Sequence, residues 1–444
     1  MRAPILLLFA LLVEPIALAA QPASATIIGV VRDTTGGVIR DAGVQLVQRA
    51  TQARRSTRTG DAGTYAFPAL PMGSYSIRIA YPGFREHEQA VRVYAGEVVR
   101  VDVELVPATL GETVTIVDGA PLVRTETAAL AHVVDRSLIA ALPLNGRNFV
   151  TLAALAPGVA LPPGSAFPRI NGGRPRTNEY LFDGISVLQP EPGQVAFLPV
   201  LDAIEAFTIE RNSPAAEFGR FNGGVVNLTT RSGTNDVSGT LFGFVRHEAL
   251  NARNYFAPPD TAKPLFRRTQ AGGVLGGPIL RHRTFFFGDY QGQRQNIGRT
   301  VISTVPTMLQ RQGVFVEPIG GRVPVIYDPV TRQPFNGNTI PADRLDPASL
   351  SLVARYPLPT SPGAANNFRR TAMEINDQDQ FDLRLDHRVR NAGDLAFTRF
   401  SSFRDRFEPV SPLPDGSGAV SGTPGPQRTR AHAFVASYAA ALSD

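Results

Sequence analysis

The 444-residue sequence contains no cysteine, which excludes disulfides and thiolate metal sites. Its six histidines, His87, His132, His247, His282, His387 and His432, are too scattered to show metal-ligand spacing, so each reads as a solvated or structural residue. Lysine is almost missing: Lys263 is the only one among 44 basic residues. An arginine bias of this kind fits a GC-rich genome. The formal charge is +6, but the basic residues form no stripe interleaved with aromatics, so no nucleic-acid partner is expected. Beyond the amino terminus there is no run of ~18 apolar residues, so any membrane passage must use β-strands. No metal triad or activated nucleophile is apparent. The expectation is a non-enzyme with no catalytic residue, no cofactor and no metal.

What is abundant is turn chemistry. The 41 glycines and 37 prolines favour a turn-rich, mainly β chain, and the length suggests roughly two to four domains. Residues 1–20 read as a secretory signal: Arg2 supplies the positive start, residues 5–13 the apolar run, and Ala17-Leu18-Ala19 the small-residue cleavage site. The mature chain is therefore expected to leave the cytoplasm and begin at Ala20 or Gln21. Amino-terminal mass spectrometry of envelope protein checks this, and retention of Met1 would contradict it.

From residue 26 to 107, short strand-like runs alternate with turn clusters, at 27–31, 44–47, 65–67, 75–80, 90–94 and 98–106. In the last, Val99, Val101, Val103 and Leu105 alternate with Arg100, Asp102 and Glu104, the period of a half-buried strand. Such spacing predicts a small β-sandwich. The runs Thr-Gly-Asp-Ala-Gly-Thr-Tyr-Ala-Phe at 59–67, Leu-Pro-Met-Gly-Ser-Tyr at 70–75 and Gly83-Phe84 resemble the carboxypeptidase regulatory-like family. That resemblance implies a transthyretin-like sandwich over 24–108, acting as a periplasmic binding or docking module without peptidase activity. Tyr65, Phe67 and Tyr75 are either core or a sugar-stacking platform.

A second resemblance rests on Leu-Pro-Leu-Asn-Gly-Arg-Asn at 142–148, Asn-Gly-Gly-Arg at 171–174, Tyr-Leu-Phe-Asp-Gly at 180–184 and Glu-Phe-Gly-Arg-Phe-Asn-Gly-Gly-Val-Val-Asn at 217–227. Together these resemble the plug domain of TonB-dependent outer-membrane receptors of the Oar-like branch, here spanning 118–233. A mixed α/β plug follows, with a helix capped by Asp135, a second apolar run at 149–155 and strands at 180–182, 206–210 and 225–229. Gly172, Gly173, Gly223 and Gly224 either permit positive φ or allow close backbone approach. Arg147, Arg174, Arg176 and Asp183 are the candidates for gating contacts with a barrel wall, with solvated or structural salt links as the alternative. The linker at 109–117 holds Glu112, Thr113, Val114, Thr115, Ile116 and Val117, which resemble the TonB box. A short extended β-branched segment suits strand addition to a partner; the other reading is an ordinary strand. The partners so implied are a TonB-type energy-transducing protein, outer-membrane lipid and an unidentified nutrient.

From residue 234 to 444 the pattern becomes strands of about ten residues, the length of tilted transmembrane β-strands, at 237–247, 268–275, 284–293, 379–389, 395–404 and 430–441. Phe381, Leu383, Leu385 and Val389 share one face, and Asp382, Arg384, Asp386 and Arg388 the other, with His387 the exception on the apolar face. Short and long connections alternate, as periplasmic turns and external loops do. The longest, at 294–378, is expected to be an extracellular cap. Related barrels have about 22 strands, and an open sheet in lipid would leave both edges unpaired. The expectation is therefore a truncated product or fragment. The expected fold is mainly β: a sandwich, a mixed α/β plug and the first strands of an incomplete transmembrane barrel. The expected function is outer-membrane transport or reception of a bulky nutrient, a saccharide or peptide. The alternative is a surface carbohydrate-binding or adhesion protein acting through the sandwich.

Overall fold

A computed structural model describes residues 24–108, 131–142, 144–162, 165, 167–189, 195, 199–211, 221–253, 263–389, 395–416 and 425–439. The signal sequence, residues 112–117 and residues 217–220 of the glycine-rich run lie outside them.

The first unit comprises β1 (Ala25–Asp33), β2 (Gly43–Gln48), β3 (Arg54–Arg58), β4 (Thr64–Leu70), β5 (Gly73–Ala80), β6 (His87–Val93), β7 (Val98–Arg100) and β8 (Val103–Leu105). They form two sheets, β3-β2-β5-β6 and β4-β1-β7, with β8 also on β1. Alternation places Ile27, Val31, Leu46, Phe67, Ile77, Val99 and Leu105 in one shared core. Tyr65, Phe67 and Tyr75 are 4%, 2% and 3% exposed, so all three are core and none offers a sugar platform. Burial pushes the Tyr65 phenol well above its ordinary pKa, and its hydroxyl donates to the Val101 carbonyl at 2.6 Å. The run at 98–106 is two strands, not one. The Asp102 carboxylate takes the Val30 N–H at 2.9 Å, so the ladder on β1 breaks at Asp102 and resumes beyond it. β3 carries no apolar alternation because it is an exposed, arginine-rich edge.

The second unit comprises β9 (Ala131–Asp135), α1 (Arg136–Ala141), a 3-10 helix (Phe149–Leu155), β10 (Val159–Ala160), β11 (Arg169–Ile170), β12 (Glu179–Phe182), β13 (Ile185–Ser186), β14 (Ile204–Glu210) and β15 (Val225–Thr230). The main sheet runs β13-β12-β15-β14-β9. Asp135 caps α1 by accepting the Leu138 N–H at 3.0 Å, and the Ser137 hydroxyl and that N–H hold its carboxyl below the usual range. All four residues of β12 are buried, as a strand covered on both faces requires. Burial there pushes the Tyr180 phenol up to about 12. The glycines divide by role. Gly172 has φ +75°, whereas a Cβ on Gly224 would lie 2.6 Å from the Glu210 carbonyl oxygen and 2.7 Å from Ile170 Cδ1. Gly224→Ala is thus expected to cost about 1–3 kcal/mol by overpacking. Limited proteolysis of the membrane-embedded protein should show faster cleavage within 131–230; unchanged resistance would contradict this.

The third unit is one antiparallel meander of β16 (Ser238–His247), β17 (Phe266–Leu280), β18 (Thr284–Ser303), β19 (Phe368–Arg388), β20 (Leu395–Glu408) and β21 (Gln427–Ala439). β18 and β19 have 20 and 21 residues, twice the expected span. Past the apolar belt their ladder continues through Gln293, Gln295, Asn296 and Thr300 to the pair Ser303 and Phe368. The usual polarity is inverted. Phe381, Leu383 and Leu385 are 41–50% exposed, while Asp382, Arg384 and Asp386 are at most 9% exposed. An apolar outer face suits lipid and a polar inner face suits a lumen. His387, the exception, meets the Thr284 hydroxyl at 2.9 Å beside a tight turn. The connection between β18 and β19 is a folded cap containing α2 (Met308–Arg311) and α3 (Pro347–Ala354). Arg311 reaches the Val353 and Tyr356 carbonyls at 3.0 and 2.9 Å. The Arg344 guanidinium, 3.0 Å from Asp328, holds that carboxyl far below its ordinary pKa.

Candidate functional site

Among the described residues, the inner face of the meander meets the second unit at an apolar contact of Val200 and Ala203 with Val274 and Phe287, and at two polar places that differ in chemistry. In the first, β12 and β13 form a hairpin joined by Asp183 and Gly184, both left-handed at φ +51° and +84°. That is the backbone an Asp-Gly pair supplies in a two-residue turn. The turn aims the Asp183 carboxylate at the end of β15, where it accepts the Thr230 N–H and hydroxyl, each at 2.8 Å. Two arginines of the meander complete the cluster. Arg399 of β20 pairs directly with Asp183 and lies 4.0 Å over the Phe182 ring. Arg384 of β19 donates to the Thr230 hydroxyl at 2.7 Å and approaches Asp183 at 3.4 Å. Its remaining N–H groups clasp Asp386 at 2.9 and 3.0 Å.

Arg399 is 1% exposed, Asp183 6% and Arg384 9%. Guanidinium groups stay charged under such burial, so every charge here depends on its partner. One rung along, Asp382 accepts the Ser401 hydroxyl, and Asp289 of β18 stands opposite Asp382 in the ladder.

The second place is the turn at 144–148. Asn145 Oδ1 accepts from Arg246 at 3.0 Å and from Arg268 at 2.6 Å. Arg147 pairs with Asp202 and lies 4.4 Å from the Phe242 ring and 4.6 Å from the Phe244 ring, both on β16. Burial pulls the Arg147 pKa below the ordinary guanidinium value, with Asp202 opposing the shift. A cation enclosed by two rings and one carboxylate is an anchor with several independent holds.

The other two gating candidates lie elsewhere. Arg174 and Arg176 are exposed; Arg176 stacks 4.7 Å over Phe167. Among the described residues no hydrogen bond or ion pair joins either to a barrel strand. Arg399, Thr230, Asp202, Phe242 and Phe244 were not singled out from sequence. Period-two counting from Ser401 back to Phe397 would have placed Arg399 on the lumen face, but not opposite Asp183.

Residues 229–444 match the family described as outer membrane beta barrel domain, and residues 26–106 match the carboxypeptidase regulatory-like domain. The TonB-dependent transporter Oar of Myxococcus xanthus is 30% identical over 290 residues, covering 61% of this chain and 27% of that protein. The chain is a relative of the TonB-dependent outer-membrane transporters. It is an outer-membrane protein, and it spans about a quarter of the length of that relative. Among solved structures, the outer membrane transporter YddB of Escherichia coli is 14% identical, with a TM-score of 0.40 over 63% of this chain and 33% of that one. A ferric enterobactin receptor mutant of Pseudomonas aeruginosa, in complex with enterobactin, is 17% identical, with a TM-score of 0.35 over 64% and 34%.

Proposed function

We propose that this chain is the gating part of an energy-coupled outer-membrane transporter or receptor for a bulky nutrient, a saccharide or peptide. In this reading 24–108 is a periplasmic docking module, 118–233 the plug and 234–444 the barrel segment. Residues 112–117 are the segment drawn by a TonB-type partner. The observation that carries the reading is the buried Asp183 cluster, in which one plug carboxylate binds two barrel arginines. Such a group of charges holds tightly while complete and weakly once a member leaves, the behaviour a releasable seal needs. Arg147 is the fixed hold about which the plug moves. The sandwich-based adhesion reading loses its main support because Tyr65, Phe67 and Tyr75 are core.

The test is uptake by cells expressing the protein, using radiolabelled pools of oligosaccharides and peptides with and without a protonophore. The reading expects a retained species whose accumulation collapses with the protonophore while its surface binding persists. Accumulation indifferent to the protonophore would refute energy coupling.

A further inference from the structure

The sandwich, the plug and the barrel meet around a cavity of about 500 Å³, a volume within the range of small-molecule sites. The sandwich is tied down on both sides of it. The Asn235 N–H donates to the Ala50 carbonyl at 3.2 Å, Arg388 donates to the Thr51 hydroxyl, and Arg92 approaches Glu205 at 3.7 Å. Charge in the wall is unbalanced. Five arginines line the cavity with three carboxylates, Asp183, Glu205 and Asp386. Two of those are engaged by Arg384 and Arg399, and the third faces Arg92. Arg388 is left with neutral acceptors, the His282 carbonyl at 3.0 Å and the Thr51 hydroxyl. Among the described residues no carboxylate lies within ion-pair distance of it. The wall also carries Met72 from the sandwich, and Phe285 and Phe397 from the two strands that flank Asp386.

A half-buried guanidinium satisfied only by neutral acceptors, in a cavity that also holds apolar side chains, selects a ligand with charge at one end. We propose that the junction cavity binds a small organic anion, a carboxylate or phosphate monoester on an apolar body, with Arg388 as its charge partner. The proposal uses the domain packing alone and stands whether or not the chain transports anything. Because all three units build the wall, an occupant bridges the sandwich to the plug and barrel together.

The test is photolabelling of the full chain in outer-membrane vesicles with 4-(4-benzoylphenyl)butyrate, followed by peptide mapping. Label is expected on the peptides bearing Met72 or Phe397. 4-Phenylbutyrate should displace it, and 4-phenylbutan-1-ol, which has the same body without the charge, should not. Phenyl phosphate as a further competitor separates the two anion classes. Arg388→Gln should cut labelling about tenfold, the size expected for one lost charge-assisted hydrogen bond, with Arg388→Lys retaining part of it. Should Arg388→Gln fail to reach the membrane, Ser74→Trp replaces it, since it fills the cavity from the exposed sandwich rim and should abolish labelling. Equal displacement by the alcohol, or undiminished labelling in the variant that reaches the membrane, would overturn the proposal.

Discussion

Replacing Asp183 with asparagine is expected to make the outer membrane permeable to vancomycin while leaving the amount of receptor in the membrane unchanged. Asparagine tolerates the left-handed φ of +51° and can still accept from Thr230. It removes the charge and turns one acceptor oxygen into an NH2 donor. Arg384 keeps Asp386, but Arg399, at 1% exposure, loses the carboxylate it pairs with. Breaking a buried ion pair by removing one partner costs about 3–5 kcal/mol. Even the lower figure raises the unseated fraction of the plug roughly a hundredfold. Asp183→Ala should be more permeable still, because alanine adds about 1–2 kcal/mol of strain in that backbone region. The measurement is the inhibitory concentration of vancomycin, normalised to surface protein. Wild-type exclusion by Asp183→Asn would show that the seal does not depend on this carboxylate.

The second large effect is expected from Thr115→Pro. If residues 112–117 pair with a partner by strand addition, the bond is made by backbone N–H and C=O groups. Proline at 115 deletes one donor and fixes φ. The substitution lies in sequence between the sandwich and the second unit, outside the core residues of either. The variant should reach the outer membrane and bind nutrient as before, but accumulate none of it in the cell. Separate assays of cell-surface binding and internal accumulation read the two steps. Undiminished accumulation by surface-exposed Thr115→Pro receptor would eliminate the segment as the coupling site.

Local chemistry was legible where it is decided by neighbours in sequence. The alternation from Phe381 to Arg388 showed a two-faced strand because side chains on a strand alternate whatever they face. Asp135 was legible as a helix cap for the same local reason. Partners were not legible: Arg384 reaches Asp183 across 201 positions of sequence, a distance set by how the second unit seats in the sheet. Arg147 meets the meander, whereas Arg174 and Arg176 share its residue type and loop setting but stay exposed. β3 was missed because an edge strand needs no apolar alternation. The break after β7 was missed because it follows from one Asp102 carboxylate capturing the Val30 N–H.

The central claim is that the plug must part from the barrel at the Asp183 cluster for transport to proceed. The absence of cysteine makes introduced thiols unique, so Ala203→Cys with Val274→Cys, which pack in one apolar cluster and leave Asp183, Thr230, Arg384 and Arg399 in place, can be joined by a short bis-methanethiosulfonate that a reductant later cleaves. Surface binding and accumulation are then measured before linking, after linking and after reduction. The account predicts unchanged binding throughout, accumulation abolished by the link and restored by the reductant. Accumulation that continues with the link in place would contradict it.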